Sequence, residues 1–378
     1  MIYILYGVHI ALTVVLIITV INAITAPMIK KGPKPESRPL VSVLIPARNE
    51  AHNIGNALMS LRQQTYEHLE ILVLDDFSTD DTVDVITSYQ QDDSRIRILR
   101  GQELPPGWTG KNWACHQLSK QAQGDYLLFT DADNYYTNDA VEKTIGWMQK
   151  LNVSLFSAFP QQITRTLGEK LVVPVFDTFV YSLLPLWLTY YIKFPSLAAA
   201  NGQWIAFTRD GYDRIGGHVS VKNQIVEDTE LARLAKQKGE KVITATGAHA
   251  VMGRMYHSWS EVFNGFSKNA FGLMGYKTIP FLLFELTFFA LYILPWLVIW
   301  YEPLRVVGAS AIVRGMVIRL IMALKYKQPI VVSTLLNPVS IGATLLIGLN
   351  SFYRYLRGSI LWKDRHVEFR QNYELNRK

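Results

Sequence analysis

Hydrophobic and polar positions change rhythm twice along this chain. Residues 2–24, IYILYGVHIALTVVLIITVINAI, hold no Lys, Arg, Asp or Glu. A helix of that length spans a bilayer core of about 30 Å. A signal peptide would carry basic residues ahead of such a run, and none precedes it here. From Val41 onward, short apolar runs alternate with amphipathic stretches. VSVLIPA (41–47), LEILVLDD (69–76), IRIL (96–99) and DYLLFTD (125–131) predict strands. EAHNIGNALMSLRQQ (50–64), STDDTVDVITSYQQ (78–91) and NDAVEKTIGWMQKL (138–151) predict the helices between them. Ser78, with Asp81 three residues on, reads as a helix N-cap. The alternation predicts a mostly parallel sheet with right-handed crossovers, a Rossmann-like α/β domain. Ligands of such sheets bind beyond the carboxyl ends of the strands.

The second half is apolar again but punctuated. LVVPVFDTFVYSLLPLWLTYY (171–191) is interrupted by Pro174 and Pro185 and charged by Asp177, so it reads as an interfacial helix rather than a span. IPFLLFELTFFALYILPWLVIW (279–300) and IVVSTLLNPVSIGATLLIGL (330–349) read as spans. The stretch 305–324 carries Arg305, Arg314 and Arg319 and is assigned to the interface. Lys30, Lys31, Lys34 and Arg38 follow the first run, which by the positive-inside rule puts the next domain in the cytoplasm. The basic tail belongs on the same side, which requires an even number of later crossings. The expected division is an anchor at 1–27, a stiff basic linker at 28–40, the α/β domain at 41–270, a membrane region at 271–352 and a cytoplasmic tail at 353–378.

Composition supports the membrane reading. Hydrophobic residues are 49% of the chain and charged residues only 18%. The net charge of +7 suits cytoplasmic loops and anionic lipid. The basic residues form no stripe along a helix, so nucleic acid is not an expected partner. Cys115 is the only cysteine, which excludes an internal disulfide and a cysteine-built metal site.

Acidic clusters carry the candidate chemistry. Asp75 and Asp76 end a predicted strand, either capping the next helix or accepting hydrogen bonds from a base or ribose. Asp131 and Asp133 are spaced i, i+2, which at a strand end turns both to one side. Two hard oxygen donors so placed suit Mg2+ or Mn2+, with substrate phosphates completing the shell. Such triplets also arise by chance. Glu227 and Asp228 open VEDTELARLAKQKGEK (226–241). They are either acids favoured by a helix dipole or a rigid site for a general base acting on a hydroxyl. Lys111 in WTGKNWACHQ (108–117) lies at a helix start, suited to phosphate or simply solvated. Gly202 and Gln203 precede an apolar strand in ANGQWIAFTRDGYDRIGGH (200–218). Arg254, His257 and Lys268, within GRMYHSWSEVFNGFSKN (253–269), read as diphosphate contacts or as snorkelling interface cations.

Taken in order, VSVLIPARNE, LDDFSTDDT, DAD and GG…VED resemble the family 2 glycosyltransferases of the GT-A fold, over about residues 41–270. GKNWACHQ, GRMY…GFSKN and LWKDRHVEF resemble more narrowly the membrane-bound carotenoid (diaponeurosporenoate-type) and hopene-associated glycosyltransferases. The resemblance implies a uridine-type nucleotide-sugar donor and inversion at the anomeric carbon. It implies that Pro46, Ala47 and Glu50 line the nucleoside pocket and that Asp76, with Asp75, meets the base. Asp131 then faces the ribose or diphosphate, Asp133 is the main ligand of Mg2+ or Mn2+, and Asp228 is the catalytic base. Lys111, Gly202, Gln203, Glu227, Arg254 and His257 complete the candidate substrate-binding set.

Two departures matter. Phe77 stands where many members have Gly, and the Q-x-x-R-W motif of processive polysaccharide synthases is missing. The expectation is therefore a multi-pass enzyme of the cell membrane with a cytoplasmic catalytic domain. It would move one hexose to a lipid acceptor such as a carotenoid or another polyisoprenoid. A polyprenyl-phosphate sugar synthase, a polysaccharide synthase and a non-catalytic membrane scaffold are the alternatives. A transporter is the weakest, because its polar residues belong within the spans.

Overall fold

A computed structural model describes residues 2–357 and the short strands at 361–362 and 365–366. Most of the expected tail at 353–378, including much of LWKDRHVEF, lies outside the described residues. The strands that build the catalytic face are β1 (Val41–Ala47), β2 (Leu69–Asp75), β3 (Ile96–Arg100), β4 (Tyr126–Thr130) and β5 (Asn134–Tyr136). They continue as β6 (Leu155–Phe159), β7 (Gln161–Gln162), β8 (Trp204–Thr208), β9 (Val242–Thr246) and β10 (Val251–Gly253). Seven of them form one sheet in the order β3-β2-β1-β4-β8-β6-β9. All neighbours run parallel except at β8, which is antiparallel to both β4 and β6. The predicted mostly parallel Rossmann-like sheet is thus observed. A small sheet, β5-β10-β7, sits beside it.

The first four strands fall where the apolar runs predict them. The near-continuous burial of β1, complete along β2, is the signature of a sheet covered on both faces. Pro46 is tolerated in β1 because pairing with β4 ends at Leu44↔Phe129, so its missing N–H costs no bond on that side. The expected Ser78 cap is corrected: the helix begins at Thr82, behind Asp81. The Ser78 N–H instead donates to Asp75 Oδ1 at 3.1 Å, and its hydroxyl accepts from the Asn49 N–H at 3.0 Å.

The segment at 28–40 does not hang free. It is laid along helix Ala140–Leu151: Trp147 Nε1 donates to the Met28 carbonyl and Lys143 Nζ to the Lys30 carbonyl, both at 2.8 Å. Gly146 makes the close approach possible, because a β-carbon there would collide with the Pro33 carbonyl.

The membrane-type helices differ from expectation. Among the described residues, two are long and apolar enough to cross a membrane, Ile2–Thr25 and Glu302–Tyr326. The second contains the stretch assigned to the interface. Arg314 and Arg319 do not bar it, because neighbouring helices offer them acceptors, although Arg319 Nη2 is left without a partner. Arg319 donates to the Pro174 and Ser333 carbonyls and to the Thr178 hydroxyl, while Arg314 meets His9 of the first helix. The expected span at 279–300 is broken into Thr278–Tyr292 and Leu294–Val298, with Pro295 at the break. The expected span at 330–349 is likewise divided into Ile330–Leu335 and Asn337–Leu356, with Pro338 at the second start. Helices Trp259–Met274 and Thr278–Tyr292 meet at 114° and make one further span only if taken together. The expected interfacial helix at 171–191 is two helices, Leu167–Leu183 and Leu186–Tyr191, parted at Pro185. The first packs inside the bundle, with Val175 against Val8 and Leu12 of the N-terminal helix.

Candidate active site

Four segments far apart in sequence converge beyond the carboxyl ends of β1, β2 and β4. Helix Gly110–Gln121 is capped by the Thr109 hydroxyl and sends Lys111 out from its first turn. The turn after β4 carries Asp131 and Asp133, with Ala132 buried between them. Gly202 lies just ahead of β8, and helix Glu227–Gln237 starts with Glu227 and Asp228.

Lys111 is the hub. Its Nζ lies 2.9 Å from Asp131 Oδ1 and 3.1 Å from Glu227 Oε1. Burial pulls its ammonium down, but these two carboxylates outweigh that and hold it well above the usual lysine range. Asp228 is fixed by backbone donors: the Gly202 N–H at 2.8 Å to Oδ2 and the Thr229 N–H at 2.7 Å to Oδ1. Each oxygen keeps a second lone pair for a proton. Burial pushes the Asp228 carboxyl up, and the adjacent Glu227 charge pushes it further, against Lys111 and the two N–H groups. Gly202 has little room for a side chain, since a β-carbon there would sit 3.1 Å from Lys111 Nζ.

Asp133 is different. Its Oδ1 is buried with no hydrogen-bond partner. Burial pushes this carboxyl up as well, and the Asp131 and Glu50 charges add to the effect. An orphaned buried carboxylate oxygen beside two more carboxylates is what a divalent cation would complete. Among the described residues no three His, Cys, Asp or Glu side chains form a ready-made cluster. The donor set therefore fits a cation of the Mg2+ type, held by one or two carboxylates and by substrate phosphates.

The other predicted residues divide. Pro46 and Ala47 end β1, and Glu50 follows them, holding the Asn53 amide at 2.9 Å. Asp75 is almost fully buried and pairs with Arg100 at 3.0 Å. Asp76 is buried at the same strand end, where Arg48 donates to its carbonyl at 2.7 Å. Phe77 holds a φ of +56°. That is a strained backbone for an aromatic residue and explains why glycine suits the position. Gln203 bridges the two sheets rather than pointing at the lysine cluster: it joins Gln162 at 2.8 Å and Asn134 at 3.3 Å. Arg254 follows β10, whose Gly253 pairs with Asn134, and so lies at the level of Asp133. It is already held by Glu169, through bonds of 3.1 and 3.0 Å. His257 does not join the set. It is half exposed, 3.5 Å from Glu261 on the surface, because the chain has by then turned into helix Trp259–Asn269.

Sequence reasoning missed Arg48, Arg100 and Glu169. Glu169 had a legible signal, since Thr166 and Glu169 form a capping box at the start of helix Leu167–Leu183. Burial raises its carboxyl, but Arg254, Thr166 and two backbone N–H groups outweigh that and hold it at about 2.

Sheet order, single reversed strand and strand-end carboxylates together define a GT-A-type α/β fold. Residues 42–186 match the family model described as "Glycosyl transferase family 2", so this region is a family 2 glycosyltransferase domain. The chain is similar to the 4,4'-diaponeurosporenoate glycosyltransferase of Staphylococcus aureus, 28% identical over 61% of this chain and 60% of that one. It is also similar to a putative teichuronic acid biosynthesis glycosyltransferase of Bacillus subtilis, 33% identical over 30% of this chain and 43% of that one. The chain thus spans about half the length of these curated relatives. In fold it resembles a Pyrobaculum calidifontis mannosyltransferase solved with GDP-Man and Mn2+. The TM-score is 0.56 at 18% identity, over 92% of this chain and 99% of that one.

Proposed function

We propose that this chain is a membrane-bound inverting hexosyltransferase. It moves one sugar from a nucleotide-diphospho-sugar, UDP-hexose by resemblance, to a lipid acceptor at the cytoplasmic face. The observation that carries the proposal is the Asp131–Lys111–Glu227 bridge with Asp228 clamped beside it. The S. aureus relative, whose name specifies a carotenoid-type acid as acceptor, supports a carotenoid or other polyisoprenoid here. The apolar helices support an acceptor that stays in the bilayer.

In this reading the acceptor hydroxyl or carboxylic acid gives its proton to Asp228, and an acceptor already ionised uses Asp228 mainly for orientation. The acceptor oxygen attacks the anomeric carbon from the face opposite the diphosphate. The bond from that carbon to the diphosphate oxygen breaks, and the electron pair leaves with the diphosphate. A raised carboxyl pKa suits a base working near neutral pH. The two backbone donors hold the carboxylate in place, so its orientation costs little at the moment of reaction. Lys111, rigid between its two acids, offers positive charge to the diphosphate. Mg2+ or Mn2+, held by Asp133 with Asp131, would supply further positive charge against the leaving group. Pro46, Ala47, Glu50, Asp75 and Asp76 form the nucleoside side of the site. The proposed division keeps the catalytic domain at 41–270, between an anchor at 1–27 and a membrane region at 271–352.

The test uses membranes carrying the full chain, given radiolabelled UDP-hexose with and without divalent cation. Cation-dependent label in a neutral glycolipid supports the proposal. Labelled polymer, or an acid-labile phosphate-linked lipid, would move the assignment to the polysaccharide or polyprenyl-phosphate alternative.

A further inference from the structure

A narrow crevice opens between helices Leu167–Leu183, Thr278–Tyr292 and Asn337–Leu356. Its walls are apolar, chiefly Phe176, Phe179, Phe284 and Phe288, and they contain one ionisable side chain, Glu285. Among the described residues Glu285 has no hydrogen-bond or ion-pair partner. It reaches the crevice because residue 348 is glycine: a β-carbon there would collide with Glu285 Oε1. An unpaired acid in an apolar wall is costly, and a hydrogen-bonding group on a bound molecule removes that cost.

One helix and one row of rings tie the crevice to the carboxylate site. Helix Leu167–Leu183 grips Arg254 through Glu169 near its start. It reaches Phe176 two turns later, about 10 Å along its axis. Tyr256 lies within electrostatic reach of Asp133 and packs edge-on to Phe266, with ring centres 5.1 Å apart. Phe266 stacks on Phe176 at 3.8 Å, and Phe176 meets Phe179 at 5.5 Å. Phe179 in turn meets Phe284 at 5.0 Å and Phe288 at 4.9 Å. The rings lead from Tyr256 into the bundle.

We infer that this crevice holds the apolar chain of the acceptor lipid, and that Glu285 hydrogen-bonds a polar group carried on that chain. The inference rests on the proposed transfer to a lipid. Aromatic faces suit a conjugated or branched isoprenoid.

Photolabelling tests the assignment without requiring sugar transfer. Membranes carrying the full chain are irradiated with a diazirine-bearing polyprenyl alcohol. Label is expected on the peptides holding Phe176 to Phe179 and Phe284 to Phe288, and untagged polyprenyl alcohol should compete it away. Gly348→Phe fills the crevice and should lower labelling about tenfold, with UDP binding on the same sample reporting that the protein is folded. If that variant loses UDP binding, Glu285→Leu replaces it, and a fall in labelling is again expected. Label spread over the outer faces of the bundle, indifferent to competitor and variants, marks bulk bilayer lipid and overturns the assignment. Loss of sugar transfer with crevice labelling intact would count against the enzymatic reading alone. Lipid glycosylation with an unlabelled crevice would overturn only the crevice.

Discussion

Two cations, the partly buried Lys111 and the fully buried Arg319, sit in surroundings that differ in kind. Lys111 lies between Asp131 and Glu227, with Asp228 and Asp133 close by. That is one ammonium among four carboxylates, those of Asp131, Asp133, Glu227 and Asp228, and one of their oxygens has no partner. Arg319 is fully buried and bonds mainly neutral oxygens: the Pro174 and Ser333 carbonyls and the Thr178 hydroxyl. Nearby Asp177 is engaged by Gln328 at 3.1 Å. The first region holds more carboxylates than cations, an arrangement completed by a cationic or proton-donating ligand. The second spends its charge on tying helix Leu167–Leu183 to the candidate span and to helix Ile330–Leu335. Burial alone therefore does not mark function. What separates the two is what surrounds each cation: carboxylates around Lys111, mainly neutral helix oxygens around Arg319.

That contrast predicts which property each region controls. The largest effect is expected at Asp228. Asp228→Asn keeps the shape but cannot take the proton, so kcat should fall by a factor of about 10² to 10⁴ with UDP affinity held. A rate near wild type would break the comparison. Arg319→Leu should do the reverse. It removes a donor from the Ser333 carbonyl, at a cost of about 1–3 kcal/mol, while the Pro174 carbonyl keeps Thr178 and Gln328, so the thermal midpoint in detergent drops while UDP affinity stays. A smaller change separates the two acids at the helix start. Asp228 must be ionised to act, so turnover should rise with pH through its raised pKa. Glu227→Gln removes the like charge next to it, and the rising limb of the pH–rate profile should move to lower pH. A limb that stays put or moves up would remove Glu227 from the electrostatics of the base. The smallest effect is expected at His257: His257→Ala should change kcat/KM by less than about twofold, as for an exposed side chain with one weak partner.

The first four strands were legible in the sequence to within a residue at each end, β1, β2 and β4 because a run buried on both faces writes its pattern locally, although the edge strand β3 is buried only at Ile96. The reversed direction of β8 was not, since direction is set by its partners β4 and β6 across the sheet. In the same way Asp131, Lys111 and Glu227 were each legible as candidates, but their meeting at one ammonium joins three distant segments. His257 was misread because nearness in sequence to Arg254 says nothing about which way a new helix turns the side chain. The arginines at 314 and 319 misled for a related reason. A hydropathy pattern counts each as a cost, whereas His9, Thr178 and two carbonyls lie ready to receive them. Conversely Phe77, an oddity in the sequence, became intelligible only with its left-handed backbone in view.

The central claim is that the unbalanced carboxylate set adds one sugar to a lipid. Mass spectrometry of lipids from cells with the gene, without it, and with Asp228→Asn tests this most directly. The account predicts a lipid heavier by a single hexose that appears only with the wild-type chain. The same glycolipid in all three samples, a ladder of added hexoses, or a sugar-phosphate lipid in its place would contradict it.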